Sequence, residues 1–177
     1  MADDFRDLFR DWKPGDGDEG DGGEDAEPEN RQPRALREKE VRVLGLWATQ
    51  DPEKPNAPIR NAFVLLRDNR GRKVPIVIGP FETMAIQQAL DGAASERPAT
   101  HDLLRNVIDR LGGTIERIVI DDLWQGTFYA RISIALAAGD VLDIDSRPSD
   151  AIALAVRVRA PIYVAEDVLE QASRDEE

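Results

Sequence analysis

Residues 127–137 read TFYARISIALA and alternate between apolar side chains and more polar ones. The apolar set that would share one face consists of Phe128, Ala130, Ile132, Ile134 and Leu136. A period of two residues is typical of a β-strand that buries one face and exposes the other, as strands of antiparallel sheets do. This segment therefore restricts the chain to folds that contain such a sheet.

Similar signals predict the other elements of the fold. Strands are predicted at 41–48, 62–67, 73–78, 114–123, 140–145 and 161–165, with a proline-rich loop at 51–58. Helices are predicted at 81–90, at 101–111, from about 148 to 158, and in a short segment after 165. Hairpins combined with separate helices predict an α+β domain whose sheet is largely antiparallel or mixed.

Two segments, 74–90 and 141–156, repeat the order strand, proline-containing turn, helix. Each follows a hairpin, and the two helices share the pattern Ala-Ile-x-x-Ala-apolar at 85–90 and 151–156. We infer two ββα units, which an ancient duplication would explain. Convergence on residues that favour helices explains the six matched positions equally well.

The first 40 residues differ in composition from the rest. Residues 16–29 contain eight acids, no base and a single apolar side chain, so they cannot bury enough surface to offset the entropy of ordering. We expect a disordered acidic tail at 1–40 and a folded domain at 41–177. Within the tail, Phe5, Leu8, Phe9 and Trp12 have helical spacing, which fits either a helical remnant or a short helix that binds a protein partner.

Composition also excludes several classes of protein. The chain has no cysteine, hence no disulfide, no thiolate zinc site and no thiol nucleophile. It has no apolar run near the roughly 18 residues of a membrane span and no signal-peptide pattern, so we expect a cytoplasmic protein without membrane contact. The tail holds 14 acids and 7 bases of a chain with net charge −12, so the folded part is mildly acidic and nucleic acid is not excluded as a partner.

The stretch 143–157, DIDSRPSDAIALAVR, joins the end of a strand to the start of a helix. Asp143 and Asp145 are two residues apart, so both carboxylates project from one face, and Leu142 and Ile144 are expected on the other, buried face. Paired carboxylates suit Mg²⁺ or Mn²⁺, and they also suit a solvated strand end.

Arg147 and Asp150 flank Pro148 and Ser149 at the start of this helix. In one interpretation Asp150 or Ser149 caps the helix while Arg147 pairs with an aspartate. In the other, a substrate phosphate binds at the helix N-terminus and Arg147 contacts it with two hydrogen bonds. The spacing permits both.

His101 is the only histidine, and it lies in a predicted first helical turn between Thr100 and Asp102. It is either a structural residue or the general acid or base of a hydrolytic site, because imidazole ordinarily titrates near neutral pH. Glu82 opens another predicted helix and is a further acid for such a site.

Four bases lie close together in the turn 67–73, RDNRGRK. They form either a solvated turn or a contact with a phosphate backbone. No aromatic residues alternate with these bases, so the pattern does not favour extended binding of a single strand.

Three motifs, VPIVIGPFE at 74–82, RPATHDLL at 97–104 and IDSRPSDAIALAVR at 144–157, resemble the bifunctional nuclease family in order and spacing. The resemblance extends over residues 41–170. It implies a compact α+β domain, a homo-oligomer, and nuclease activity on DNA and RNA. It supplies no catalytic mechanism, so site residues are chosen by their chemistry within the matching motifs.

The first hypothesis is a metal-dependent phosphodiesterase, in which bound Mg²⁺ or Mn²⁺ activates water. The predicted metal ligands are Asp143, Asp145 and Asp150, with Glu82 in reserve. The predicted catalytic residues are His101 as base, Asp102 as the residue that orients it, and Arg147 on the phosphate. The alternative is a non-catalytic binding or regulatory module, whose motifs are helix starts and an oligomer interface.

Overall fold

The computed structural model of the chain describes residues 37–49, 61–93 and 96–173. The chain divides into the units Met1–Leu36 and Arg37–Glu177, and the described residues all belong to the second. Three predictions lie outside the described residues. They are the disordered tail up to residue 36, the partner-binding segment 5–12 and the loop 51–58.

The described residues form a seven-stranded sheet with the strand order β3-β2-β1-β7-β4-β5-β6. The strands are β1 Glu38–Thr49, β2 Asn61–Asp68, β3 Lys73–Ile78, β4 Gly113–Trp124, β5 Thr127–Leu136, β6 Val141–Ser146 and β7 Ile162–Ala165. Each neighbouring pair is antiparallel except β4 and β7, which are parallel. The prediction of an α+β fold with a mixed sheet is confirmed.

Four helices accompany the sheet in the described residues, and they are α1 Pro80–Leu90, α2 Thr100–Arg110, α3 Pro148–Val158 and α4 Glu166–Ala172. Pro80 and Pro148 occupy the start of α1 and α3, where the missing N–H costs nothing and the fixed φ already suits a helix. α1 packs against α3 and β2, and α3 packs against β4 and β5. No helix in the described part of the chain combines the length and apolar character of a membrane span.

β1 begins three residues before the predicted domain start at residue 41. The reason is long-range pairing, because Glu38 to Val41 form an antiparallel ladder with Ala165 to Ile162 of β7. The acidic composition of the preceding segment gives no sign of this partner, which lies more than a hundred residues away in the sequence.

The core lies between the helices and the sheet, and in the central strand β4 the consecutive residues Ile118 and Val119 are both buried, so both faces of this strand are covered. Ile86 of α1, Leu154 of α3 and Ile118 of β4 are fully buried. The alternation predicted for β5 is present in part, since Ala130 and Ile132 are buried whereas Phe128, Ile134 and Leu136 are partly exposed. Ser133 of the polar set is also buried, and its hydroxyl is satisfied by a 2.6 Å hydrogen bond that it donates to Asp143 Oδ1 of the neighbouring strand.

The prediction that Leu142 and Ile144 are buried is wrong. They are 45% and 44% exposed, although each is paired across the strands with an isoleucine of β5. β6 is the edge strand of the sheet, so it has a neighbour on one side only. The alternation correctly predicts the face to which Leu142 and Ile144 point, but at the edge of the sheet this face is only partly covered.

The repeated order of elements is present, with a further strand in front of each unit. β1-β2-β3-α1 and β4-β5-β6-α3 are two antiparallel meanders that each end in a helix. The two helices begin at the equivalent residues Pro80 and Pro148, and this alignment places Ala85 with Ala153 rather than with Ala151. The predicted match between 85–90 and 151–156 is therefore wrong by two residues.

Candidate active site

The first turns of three helices line one cavity of about 490 Å³. Its lining includes Phe81 and Glu82 from α1, Thr100 and His101 from α2, and Arg147 and Asp150 at the start of α3. Backbone N–H groups at helix N-termini carry partial positive charge, so three converging termini favour negatively charged groups. We call this the three-helix cavity.

Arg147 connects two of these helix starts through its guanidinium group. Its Nε and Nη2 atoms donate to the two carboxylate oxygens of Asp150, at 2.7 and 3.1 Å. Its Nη1 atom donates to Glu82 Oε1 at 3.0 Å. Glu82 and Asp150 occupy the same position in the first turns of α1 and α3, so the repeated unit places an acid on each side of one arginine.

His101 joins this network from the third helix. Its Nε2 atom lies 3.1 Å from Asp150 Oδ1, and its side chain is 14% exposed. Burial by itself would raise the pKa of Asp150, but the hydrogen bonds from Arg147 and His101 outweigh it and lower the pKa below the ordinary value. Asp150 is therefore a carboxylate at neutral pH, so His101 Nε2 must carry the hydrogen and neutral imidazole keeps Nδ1 as its basic nitrogen.

Asp102, predicted to orient His101, points elsewhere, and the prediction is wrong in this respect. Asp102 Oδ1 accepts a 2.8 Å hydrogen bond from Arg157 Nε, and Oδ2 accepts one of 3.1 Å from the backbone N–H of Ala99. Burial would raise the pKa of Asp102, but these two hydrogen bonds lower it. Asp102 thus caps α2 and anchors it to α3, while Asp150 takes the orienting position beside His101.

Asp143 and Asp145 belong to a different cluster of charges on β5 and β6. As predicted, they share one face, because they lie opposite Ser133 and Arg131 in the sheet. Besides accepting from Ser133, Asp143 lies 3.4 Å from Arg131 Nη1. Arg131 Nε in turn lies 2.8 Å from Asp121 Oδ2.

The four predicted metal ligands are therefore divided between two places. Glu82 and Asp150 both pair with Arg147, whereas Asp143 pairs with Arg131. Among the residues that the structure describes, no three acids or histidines approach closely enough to hold a metal ion together. The side chains as arranged do not fit a single Mg²⁺ or Mn²⁺ site, and the metal stays a prediction.

Residues 64–177 match the family model of the bifunctional nuclease domain. The chain belongs to this family. The match covers β2 to α4 apart from the first residues of β2, and it includes each residue of the three-helix cavity named above.

Relatives of this bifunctional nuclease domain fall into two groups. Two proteins of Mycobacterium tuberculosis, both described as uncharacterised, are 42% identical over 134 residues, which is 75% of this chain and 75% of each of theirs. Bifunctional nuclease 2 of Arabidopsis thaliana is 26% identical over 113 residues, which is 62% of this chain and 34% of the plant protein. Bifunctional nuclease 1 of the same plant is 24% identical over 110 residues.

Sequence reasoning missed two residues of the cavity in this bifunctional nuclease domain. Phe81 and Met84 form an apolar wall beside the charged network and are 81% and 68% exposed. Their spacing of three residues puts them on one side of α1, away from the buried Ile86. The sequence did contain a signal for them, namely apolar side chains near the start of a predicted helix on the side opposite the core.

The basic turn of the bifunctional nuclease domain is partly structural. Arg72 pairs with Asp68 at 2.8 Å and with Glu166 of α4 at 2.9 Å. Asp68 also accepts the backbone N–H groups of Arg70 and Arg72, which fixes the turn. Arg67 and Arg70 remain exposed.

Proposed function

We propose that the protein is a nuclease that hydrolyses phosphodiester bonds of DNA or RNA in the three-helix cavity. The observation that supports this most is the pairing of His101 with Asp150 beside Arg147, where the N-termini of three helices meet. These groups offer proton transfer and stabilisation of negative charge, the two functions that phosphodiester hydrolysis needs. The plant relatives are named bifunctional nucleases, which points to the same activity. A cytoplasmic location is part of the proposal.

Arg147 is the group that binds the phosphate in this proposal. Its side chain is 65% exposed although it contacts two carboxylates, so the guanidinium can face a phosphodiester that enters the cavity. Glu82 and Asp150 hold the guanidinium in place before the substrate binds. The N–H groups at the N-termini of the three helices add partial positive charge beside the two carboxylates.

His101 is the proton-transfer group. Asp150 accepts the hydrogen of Nε2, which fixes the ring and leaves Nδ1 to take a proton from the attacking water. As the water oxygen bonds to phosphorus, the ester P–O bond breaks and the leaving oxygen takes a proton from solvent. General acid and base catalysis of this kind contributes roughly a hundredfold to ten-thousandfold in rate. Mg²⁺ or Mn²⁺ enters no step, because the predicted ligands do not lie together.

The exposed wall of Phe81 and Met84 gives the substrate a surface for its bases. Both side chains line the same cavity as His101 and Arg147. Aromatic stacking on a nucleobase stabilises binding by about 1–3 kcal/mol per base and tolerates any sequence. A nuclease with this wall acts on nucleotides that are unstacked from a duplex.

The test is cleavage of plasmid DNA and of RNA by highly purified protein, with EDTA or with added Mg²⁺ or Mn²⁺. Arg147→Gln is compared with Arg97→Gln, which removes one exposed arginine outside the cavity. We expect loss of cleavage of at least about tenfold in Arg147→Gln only, the scale of a lost charge-assisted contact. Equal cleavage by wild type and Arg147→Gln would assign the activity to a contaminant and overturn the proposal.

A non-catalytic binding or regulatory module is the second candidate function. The observation in its favour is that Arg147 already has two acidic partners, an arrangement that stabilises the start of α3 without any substrate. In this case the three-helix cavity would bind nucleic acid or another anion without cleaving it. Binding that needs Arg147, with no cleavage in any ion, would support this candidate against the nuclease.

We propose, in addition, that the protein is a homo-oligomer. α2 is amphipathic, yet none of its residues is buried, and β6 exposes the apolar residues Leu142 and Ile144. A Cβ at Gly113 would lie 3.1 Å from Ile108 of α2 and 2.9 Å from Ile134 of β5, so the helix sits directly against the strand that pairs with β6. The resulting α2–β6 apolar face consists of Leu103, Leu104, Val107, Leu111, Leu142 and Ile144.

The size of the α2–β6 apolar face fits a second copy of the chain as its cover. The exposed fractions of its six residues amount to roughly 600 Å² of apolar surface per copy, or about 1,200 Å² across a two-fold interface, which is the lower range for a stable dimer. Leu103 and Leu111 lie four residues on either side of Val107, so antiparallel α2 helices would match apolar residues with apolar residues.

A further inference from the structure

The basic turn is not fully used by the fold or by the proposed active site. Arg72 is held by Asp68 and Glu166, whereas Arg67 at the end of β2 is exposed. Lys73 lies opposite Arg67 at the start of β3, is partly buried and makes a contact of its own. The structure brings a further base, Arg42, next to the turn. Arg42 of β1 pairs in register with Arg67 of β2, on the side of β2 that faces away from β3.

These three bases form a row across three neighbouring strands. Arg42 pairs in register with Arg67, and Arg67 pairs in register with Lys73, so all three side chains project from the same face of the sheet. Like charges directly opposite each other on neighbouring strands destabilise a sheet. The two successive like-charge pairs therefore destabilise the sheet, and the fold itself does not require them. We call the three residues the β1–β3 basic row.

The basic row borders a concave surface of about 580 Å³, whose lining includes Arg42, Arg67, Leu44 and Asn69. Both arginines are exposed, and in the described residues neither has an acid within ion-pair distance. The exposed tip of the turn adds Arg70 beside them. The local field is therefore positive on a chain whose net charge is −12.

The acids that also line this surface do not cancel the row. Glu38 is occupied by Arg117, and Asp68 is buried and occupied by Arg72. Glu40 is the remaining exposed acid in the lining, against the exposed Arg42 and Arg67. An anion that contacts the row thus meets an excess of positive charge.

We propose that the β1–β3 basic row is a second binding site for nucleic acid, which contacts the phosphate backbone independently of sequence. Adjacent strands are about 4.8 Å apart, so the row spans roughly 10 Å. A nucleic-acid strand carries one phosphate per about 3.4 Å of helix axis, and its neighbouring phosphates lie farther apart along the backbone, so the row is long enough to contact more than one phosphate. This proposal rests on the proposed function for the choice of nucleic acid as the ligand. The site lies on the sheet, apart from the three-helix cavity, and its residues position the substrate without contacting the scissile bond.

The test measures binding of a fluorescent oligonucleotide duplex to the full chain in EDTA, by anisotropy over a range of salt concentrations. The variant Arg42→Gln with Arg67→Gln is compared with Arg97→Gln with Arg110→Gln, which removes two exposed arginines elsewhere and leaves the same net charge. We expect the first pair to weaken binding at least about tenfold and to reduce the slope of log K against log salt by about two, with little change in the control pair.

Equal weakening in the two double variants would reduce the effect to net charge and overturn the proposal. Absence of oligonucleotide binding by the wild type, or binding that both variants retain unchanged, would overturn it as well. Cleavage measured in parallel separates this proposal from the proposed function. Cleavage that needs Arg147 while binding ignores Arg42 and Arg67 refutes only the basic row, and binding that needs Arg42 and Arg67 without any cleavage refutes only the nuclease.

Discussion

Asp150 Oδ1 lies 3.1 Å from His101 Nε2, and the two residues come from the first turns of different helices. The same carboxylate accepts two hydrogen bonds from Arg147. One aspartate therefore joins the only histidine of the chain to an exposed arginine. This arrangement is the physical basis of the proposed active site.

The first prediction concerns Asp150. Asp150→Asn removes the charge that fixes the tautomer of His101, so cleavage should fall by roughly a hundredfold or more, with a smaller change in KM. Single-turnover rates and KM on a labelled oligonucleotide measure this. Asp167→Asn removes one exposed acid from α4 and is the matched control. An Asp150→Asn protein that is folded and cleaves at the wild-type rate would exclude the orienting role.

The second prediction concerns the predicted metal ligands. Asp145 is exposed on β6 and lies in the cluster around Arg131, away from the contacts of Asp150. Asp145→Ala should therefore keep its cleavage rate within about twofold of wild type, as expected for an exposed site outside the machinery. A metal titration of cleavage, run for both proteins, gives the comparison. Loss of metal-dependent cleavage in Asp145→Ala would return the aspartate pair to the active site.

The third prediction concerns stability at acid pH. Burial would raise the pKa of Asp68, but hydrogen bonds from Arg72 and from backbone N–H groups lower it. The hydrogen bond from Arg72 also lowers the pKa of Glu166. A lowered pKa contributes stability above the ordinary carboxyl pKa of about 4 and loses it as pH falls, so the free energy of unfolding should decrease from about pH 5 downward.

Arg72→Gln tests the source of this dependence. It leaves the fully buried carboxylate of Asp68 without its charged partner, so the free energy of unfolding at neutral pH should fall by about 3–5 kcal/mol. The decline at acid pH should be shallower than in wild type. Urea unfolding at several pH values measures both effects. Arg70→Gln, at an exposed position of the same turn, should stay within about 0.5 kcal/mol of wild type.

The fourth prediction concerns the α2–β6 apolar face. Val107→Glu places a charge at its centre and should convert the protein from twice the chain mass of 19.7 kDa to the mass of one chain. Sedimentation velocity measures the mass. Val77→Glu is the matched control, because Val77 is 51% exposed on β3 at the opposite edge of the sheet. A monomeric wild type, or a dimer that survives Val107→Glu, would contradict the proposed interface.

Much of the fold could be predicted because its signals are local. Alternation in β5 and the proline at the start of α3 act over a few residues, and both elements lie within a residue or two of the predicted bounds. The face of Leu142 was predictable from the same alternation. Its exposure was not, because exposure depends on which elements cover an edge strand.

The site could be predicted in part for the same reason. Glu82, His101, Arg147 and Asp150 belong to three separate sequence motifs, and each lies in or beside a first helical turn. The orientation of Asp102 could not be predicted, since adjacent residues of a helix point about 100° apart and its partner Arg157 lies on another helix. The partners of Asp143 depend on strand register, which sequence spacing alone does not define.

The most direct test of the central claim is the single-turnover cleavage rate of His101→Ala beside wild type, on the same labelled DNA and RNA and from identical purifications. The proposed site predicts a loss of at least roughly a hundredfold with binding of the oligonucleotide retained. A folded His101→Ala protein that cleaves both substrates at the wild-type rate would contradict the proposed site.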